Sequence, residues 1–343
     1  MKAEQQQRAL SSPVVMIRRQ QVHVKMRSVR STGINAALIS ALFLGLAPVF
    51  GKAAMGAGQF SPLAVVALRT SLAALLLVAI IAVFRRRTLY IYPAGLIGCV
   101  LAGAVNGTGS IFYYVGLSKL NASVAQMLYA LYPFFVALWL QLDRQSPSKL
   151  TAIRIIVAGI SVFLLTRADA GNVDPWGVIF MLIAAALYAL HLPINQRVLY
   201  DVPSPTVTVY TLLAMSMIVV PAYLLFDRSW PSATVPWLPV LGLTAVTFFS
   251  RLMLFLGVKH IGGMQTALLG LGELVVAILF SHLLLGESLT LLQWVGTAGL
   301  SISLLLVWFE TPPTKPPQPH GLLSWLQPPD FPTDFYKYQK PTK

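Results

Sequence analysis

The chain has 343 residues, of which 56% are hydrophobic and only 10% are charged. A soluble domain carries about 25% charged residues, so the composition excludes a soluble protein and predicts an all-α integral membrane protein. The net charge of +14 does not indicate a nucleic-acid partner, because the basic residues lie in tails and in loops between apolar segments.

Ten apolar segments follow one another along the chain. They are preceded by a basic N-terminal tail, residues 1–32, and followed by a Pro-rich C-terminal tail, residues 311–343. A bilayer-spanning helix needs about 20 mostly apolar residues, and the loops between the segments are short. We predict transmembrane helices near 33–54, 62–84, 93–117, 121–142, 150–166, 175–197, 205–226, 236–258, 264–285 and 289–309.

The Lys and Arg residues predict the orientation of the chain. Nineteen of the 25 fall in the tails, loops and helix ends on one side of the membrane, four fall at the ends on the other side, and Arg69 and Arg251 lie deep inside spans. Cytoplasmic segments are enriched in basic residues. We therefore expect a multi-pass protein of the cell inner (plasma) membrane with both termini in the cytoplasm. The only cysteine, Cys99, lies in an apolar run and predicts no disulfide.

Residues 33–167 and 175–309 form two related halves. Pro48 in the first span matches Pro193 in the sixth at a displacement of 145, and each predicts a kink. Further matches follow in helix order at displacements of 140 to 143. Each half has five predicted spans, an odd number, so the second half enters the membrane inverted. Inverted repeats are typical of transporters that bind a solute near the midplane and work by alternating access.

Two stretches carry a resemblance to a known family. They are YYVGLSKLNASVAQMLYALYPFFVALWLQL at 113–142 and its partner at 253–307, supported by the Arg-bearing ALRTSLAAL at 67–75. The chain resembles the EamA-like family of the drug/metabolite transporter superfamily over about residues 33–309. The resemblance implies ten helices in two inverted five-helix repeats. Spans 1–4 and 6–9 would surround a central cavity, and spans 5 and 10 would be peripheral.

The chain departs from that family pattern at two places. The family often has a Glu-Pro pair in the ninth span, whereas here Glu273 is followed by Leu274. The fourth span usually ends in a Gly-Glu-Arg type segment, and here it reads Leu142-Asp143-Arg144-Gln145. The first departure predicts an altered kink in the ninth span and a changed cavity shape.

Polar residues inside the spans indicate a substrate-binding site, because polar groups in hydrocarbon are costly and mark solute paths. Several recur at helical spacing, so that they share one face of their helix. The candidate residues are Arg69, Asn106, Gln126, Tyr129, Tyr132, Tyr188, His191, Asn195, Arg251 and Glu273.

Each candidate also has a structural interpretation. Neutral polar residues often bond a neighbouring helix, and His191 can relay protons or be held by a structural hydrogen bond. Arg69 can snorkel towards the membrane surface. Arg251 and Glu273 lie at similar depth in adjacent spans, and they can either form an ion pair or contact the solute.

Together these features predict a secondary active transporter that exports or exchanges a small polar metabolite, an amino-acid-like solute or drug. Its partners are the solute and the lipid bilayer, with proton coupling left open. The alternatives are a membrane-embedded enzyme and a non-transporting receptor. The five histidines show no ligand spacing, the acidic residues are scattered, and no P-loop is present. We therefore expect no metal, no cofactor and no enzyme activity, and the oligomeric state is not predicted.

Overall fold

The described part of the chain is helical throughout. The computed structural model describes residues 13–56, 60–120, 122–143, 148–167, 174–227, 236–285 and 291–309, and within these ranges it contains no strand. The α-helices are α1 Pro13–Met55, α2 Pro62–Phe84, α3 Pro93–Lys119, α4 Ala122–Tyr129, α5 Tyr132–Leu142, α6 Lys149–Arg167, α7 Pro175–Leu199, α8 Ser204–Phe226, α9 Leu238–Ile261, α10 Gly263–Gly270, α11 Gly272–Leu285 and α12 Leu291–Leu305. Short 3₁₀ helices occupy Arg86–Leu89 and Leu306–Phe309.

Seven helical segments are long and apolar enough to cross a membrane. They are Val29–Met55, Pro62–Phe84, Pro93–Lys119, Val124–Leu142, Pro175–Leu199, Ser204–Phe226 and Leu238–Ile261. The predicted all-helical protein with many spans is therefore confirmed. The described parts of the predicted fifth, ninth and tenth spans do not meet the same criterion, so the number ten stays a prediction.

Helix starts follow local sequence signals. Proline is the first residue of α2, α3 and α7, where its missing N–H costs nothing. Before α2, the Ser61 side chain accepts a hydrogen bond from the N–H of Ala64 at 3.0 Å. Before α7, Asp174 accepts one from the N–H of Trp176 at 2.8 Å. That bond, aided by Lys119, lowers the pKa of Asp174.

The first helix begins earlier than the hydrophobic pattern predicts. The prediction starts the span near residue 33, but α1 begins at Pro13 and continues unbroken to Met55. Between Pro13 and Gly33 the sequence has no Gly or Pro to end a helix. Much of the basic tail thus belongs to the same helix as the first span, whereas the C-terminal tail lies outside the described residues.

Long contacts join the first half of the chain to the second. Helix α3 lies along α7, and α1 lies along α9. Helices α6 and α12 pack mainly against each other, at the edge of the bundle as the resemblance implies for spans 5 and 10. Gly262, at a φ of +84°, makes the tight connection between α9 and α10, a backbone conformation that favours glycine.

The predicted fourth and ninth spans are each broken at an equivalent place. One break separates α4 from α5 at residues 130–131, and the other separates α10 from α11 at Leu271. Helices α4 and α10 correspond residue by residue at a displacement of 141. Pro133 explains the first break, since it has no N–H to continue the helix. The second forms without proline, between Gly270 and Gly272.

The two prolines that predict kinks do not mark these breaks. Pro48 lies inside continuous helix α1, and Pro193 lies inside continuous helix α7. The strongest interruptions of the spans therefore lie in the fourth and ninth spans, one in each half of the chain.

Candidate binding site

A small cavity lies where both halves of the chain meet, and we call it the central cavity. Its volume is about 40 Å³, which is room for only a few water molecules. Its walls come from spans of both halves. It is lined by Leu44, Ala47, Arg69, Ser110, Tyr113, Tyr114, Gln126, Tyr129, Tyr188, Arg251 and Glu273.

The cavity extends from the middle of the bundle towards one end. We name the two ends after the residues at the two ends of α7, the Asp174 end and the Arg197 end. Gln126 lies in the second turn of α4, close to the Asp174 end, whereas Tyr188 lies near the middle of α7. At about 1.5 Å per residue, the lining residues therefore extend from the middle of the bundle towards the Asp174 end.

Arg69 of α2 reaches across to the second half of the chain. Its Nη1 donates to Thr247 Oγ1 at 3.1 Å, and its Nη2 donates to Ser110 Oγ at 3.4 Å. The guanidinium carbon lies 4.7 Å from the centroid of the Tyr114 ring, a cation–π contact. Its Nε is buried and has no hydrogen-bond partner among the described residues. Arg69 is 7% exposed, so it does not snorkel to the surface.

Arg251 of α9, in the second half of the chain, reaches across to the first half. The Asn106 amide, oriented with its oxygen towards Arg251, accepts hydrogen bonds from Nη1 and Nη2 at 3.1 and 3.2 Å. Arg251 Nη1 also lies 3.4 Å from His191 Nε2, and Tyr188 offers its ring at 5.5 Å. Since His191 Nδ1 faces the carbonyl of Tyr188, we assign the proton to Nδ1. Nε2 then accepts from Arg251, which favours a structural histidine over a proton relay.

The Arg69 and Arg251 contacts are related by the repeat. Asn106 and Ser110 lie one turn apart on α3, and Thr247 and Arg251 lie one turn apart on α9. A displacement of 141 converts the first pair into the second. The two equivalent helix faces thus oppose each other across the cavity. Only one of them carries a charge.

Glu273 lies in the first turn of α11, beside the second helix break. A helix N-terminus is a favourable place for a carboxylate. Its side chain is 2% exposed and lines the cavity. Within the described ranges, Glu273 makes no ion pair with Arg251, and its Oε1 has no hydrogen-bond partner. The geometry thus disfavours the expected alternative of a structural Arg251–Glu273 pair.

An aromatic layer closes the cavity on its Arg197 side. Tyr129 lies 5.7 Å from Tyr132 and 5.3 Å from Tyr188, measured between ring centroids. The layer continues through His191, at 4.7 Å from Tyr188, to Phe255. The centroid distances fall within the range of attractive aromatic contacts, about 4.5–7 Å, so the rings form a continuous packed wall.

Tyr132 also bonds the broken ninth span. In an uninterrupted helix the carbonyl of Ala267 would accept a hydrogen bond from the N–H of Leu271. Here that N–H donates to the carbonyl of Leu269 instead. The hydroxyl of Tyr132, from the first half of the chain, donates to the Ala267 carbonyl instead, at 2.9 Å. A freed carbonyl in apolar surroundings is costly, so Tyr132 stabilises the break.

The ends of the bundle are held differently. At the Arg197 end, Arg197 Nη2 and Nε donate to Asp143 Oδ2 at 2.7 and 3.2 Å, in a pair at most 2% exposed. At the other end, Lys119 and Asp174 form a pair at 3.2 Å whose side chains are 39% and 35% exposed. Both pairs join the first half of the chain to the second.

Ten residues are predicted for the site, and the structure gathers them in two shells. Six line the central cavity: Arg69, Gln126, Tyr129, Tyr188, Arg251 and Glu273. Asn106 and His191 instead touch Arg251 from behind. Tyr132 donates a hydrogen bond to the ninth span. Asn195 donates to the carbonyl of His191 and accepts from the hydroxyl of Thr211.

Several lining residues are missing from the predicted set. Ser110 and Tyr113 follow Asn106 at i+4 and i+7 on α3, so helical spacing does place them on one polar face with it. Tyr113 donates to Gln126 Oε1 at 3.1 Å. Tyr114, Leu44 and Ala47 carry no signal in the sequence that separates them from ordinary apolar helix residues. In the part of the chain that the structure describes, no group of His, Cys, Asp and Glu could hold a metal ion.

The chain is similar in sequence to proteins named as transporters. The model of the EamA-like transporter family matches residues 31–167 and again residues 175–309. The uncharacterized transporter YcbK of Bacillus subtilis is 25% identical over 203 residues, which cover 54% of this chain but only 64% of YcbK. The uncharacterized inner membrane transporter YicL of Salmonella typhimurium is 26% identical over 217 residues, 60% of this chain and 70% of YicL.

A solved crystal structure shares the fold. It has a TM-score of 0.66 and 16% sequence identity, and the match covers 82% of this chain and 97% of that one.

Proposed function

The chain belongs to the EamA-like transporter family, and from that premise we propose that it is a secondary active transporter. It exports or exchanges a small polar metabolite, an amino-acid-like solute or drug, by alternating access. The observation that carries the proposal is the central cavity, where Arg69, Arg251 and Glu273 are buried, mutually unpaired and contributed by both halves of the chain. In a membrane, such charges mark solute and ion pathways.

The uneven ends of the bundle support alternating access. The Asp143–Arg197 pair is buried, and nearby Tyr210 donates to the Leu89 carbonyl at 2.7 Å. Both contacts cross between the halves and hold the Arg197 end closed. The cavity, of about 40 Å³, is too small for an amino acid in this conformation. Access to the cavity from the Asp174 side therefore requires the halves to separate there, and access from the other side requires the Arg197 end to open.

The architecture that we propose has ten spans. A basic segment, residues 1–32, precedes two inverted repeats, 33–167 and 175–309, and the tail 311–343 follows. Both termini lie in the cytoplasm, which makes the Arg197 end the cytoplasmic one. Buried Cys99 is the only cysteine, so a Cys99→Ala background allows single-cysteine labelling. The cysteine of Arg86→Cys should react with a thiol reagent only from inside the cell. Reaction with a reagent added outside would contradict the proposed orientation.

The test of transport is solute uptake by the full chain in proteoliposomes, with and without a pH gradient. Amino acids and related polar metabolites form the panel, and wild type is compared with Glu273→Gln. We expect flux of at least one solute, and Glu273→Gln should abolish any acceleration by the pH gradient. Exposed Arg86 provides the control Arg86→Gln, which should keep wild-type flux.

Two results would contradict these proposals separately. If nothing in the panel moves under any imposed gradient, the transport proposal is wrong. If Glu273→Gln retains full acceleration by the pH gradient, transport stands and proton coupling through Glu273 is wrong.

A further inference from the structure

The charges around the central cavity do not balance. Two guanidinium groups, Arg69 and Arg251, face it together with a single carboxylate, Glu273. With Glu273 ionised, the described lining has a net charge of +1. When Glu273 carries a proton, that charge becomes +2. The remaining lining side chains are neutral hydroxyl, amide, aromatic and aliphatic groups.

Neither arginine is neutralised elsewhere in the described residues. Arg69 donates only to the neutral hydroxyls of Thr247 and Ser110, and Arg251 contacts the amide of Asn106 and the ring nitrogen of His191. These contacts fix the directions of both guanidinium groups but add no negative charge. Arg69 Nε remains buried and without a partner. Buried charges are usually paired, because removing an isolated charge from water is costly.

The two arginines come from opposite halves of the chain and face one cavity. Guanidinium groups bind carboxylates and phosphates through paired N–H donors. A solute anion between them would supply the missing negative charge and would connect the halves. A net-neutral zwitterion would leave the positive charge of the cavity uncompensated, whereas a monoanion would bring the filled cavity to neutrality with Glu273 ionised.

We propose that the solute is an organic anion, a small molecule with at least one more carboxylate or phosphate than ammonium group. This rests on the proposed function and narrows it from polar metabolites to net-negative ones. Arg69 and Arg251 hold the anionic group, and Glu273 takes the ammonium group of the solute where one is present.

Matched acid and amide pairs test the proposal. Glutamate and glutamine, and likewise aspartate and asparagine, have nearly the same shape, but the acid has a net charge of −1 near neutral pH and the amide is a net-neutral zwitterion. Initial uptake is measured near neutral pH with the full chain in proteoliposomes. We expect the more acidic member of each pair to move faster by about tenfold or more, the size expected for a charge-assisted hydrogen bond.

Charge-changing variants separate selectivity from a structural role of the arginines. Arg69→Gln and Arg251→Gln should lower the acid-to-amide ratio, whereas Glu273→Gln should raise it. A purely structural role of the arginines would reduce uptake of acid and amide alike and leave the ratio unchanged. The exposed control Arg86→Gln should leave both rates and their ratio unchanged.

Three results would overturn the proposal. Uptake of the amides at rates equal to or above those of the acids contradicts anion selectivity but leaves transport intact. A constant acid-to-amide ratio in both arginine variants removes the assigned roles of Arg69 and Arg251. If no compound of either pair moves and the wider panel also fails, the proposed function and this inference fall together.

Discussion

Two threonines on one turn of α9 show how a single hydroxyl is expected to influence solute binding. Thr244 and Thr247 each donate to the carbonyl four residues earlier, at 2.9 and 2.7 Å. Only Thr247 also accepts a hydrogen bond from Arg69. The pair therefore separates the loss of a hydroxyl from the loss of the contact that orients the guanidinium.

Replacing Thr247 by valine should weaken solute binding. A hydrogen bond to a charged donor contributes about 1.5–3 kcal/mol, so we expect KM for uptake to rise about tenfold with little change in kcat. Thr244→Val is the matched control and should leave KM unchanged. An equal effect of the two substitutions would show that Thr247 acts through its helix rather than through Arg69.

The site could be predicted from the sequence only in part, and individual residues show why. Helical spacing places Asn106, Ser110 and Tyr113 on one face of α3, yet Ser110 and Tyr113 line the cavity while Asn106 lies behind Arg251. Spacing gives direction around a helix axis but not the identity of the neighbour that fills the space. For Asn106 that neighbour is Arg251, which is 145 residues away in the chain.

At the scale of elements, the interruption of the ninth span depends on a residue outside it. Within its own sequence, Gly270-Leu271-Gly272 is a weak signal, and the span lacks the proline found at Pro133 in the fourth. The Tyr132 hydroxyl supplies the missing hydrogen-bond partner from the first half of the chain. By contrast, Ser61-Pro62 gives the start of α2 from local sequence alone, because its cap is local.

Gly270→Ala should be destabilising, although alanine favours helices. The gain in helix propensity is about 0.8–1.0 kcal/mol. A Cβ at Gly270, however, would overlap the Tyr132 hydroxyl, and overpacking costs about 1–3 kcal/mol. We therefore expect a lower midpoint of thermal unfolding in detergent.

Tyr132→Phe distinguishes the overlap from a general loss of flexibility. It removes the clashing oxygen, so Gly270→Ala should cost less in the Tyr132→Phe background than in wild type. Gly56, which has no atom within 4 Å of a built Cβ, supplies the control Gly56→Ala, expected to change little. Additive effects of the Gly270 and Tyr132 substitutions would contradict the overlap.

At the scale of the molecule, the halves are held together by contacts that differ in burial at the two ends. Asp143→Asn leaves the buried Arg197 guanidinium without its carboxylate, which should destabilise the protein by about 3–5 kcal/mol. The double variant Asp143→Leu/Arg197→Met removes both charges, and it should recover most of that loss.

The exposed pair at the other end is the control for this prediction. Asp174→Asn removes the partner of Lys119 but keeps a side chain that can cap α7, so the unfolding midpoint should change little. Stability is measured by thermal unfolding in detergent for all variants. If the double variant is no more stable than Asp143→Asn, the cost does not come from an uncompensated charge.

The hydrogen bond from Tyr132 to Ala267 has a consequence for how the protein is made. The first half of the chain is synthesised first and carries the tyrosine, whereas the second half carries the carbonyl that needs it. A second half produced alone would insert its ninth span with that fixed backbone carbonyl lacking its donor, whereas a first half produced alone would lack an acceptor only for a tyrosine hydroxyl, which can rotate to another one. The two halves are therefore unequal partners during assembly, despite their common architecture, and the later half depends on the earlier one to complete its backbone.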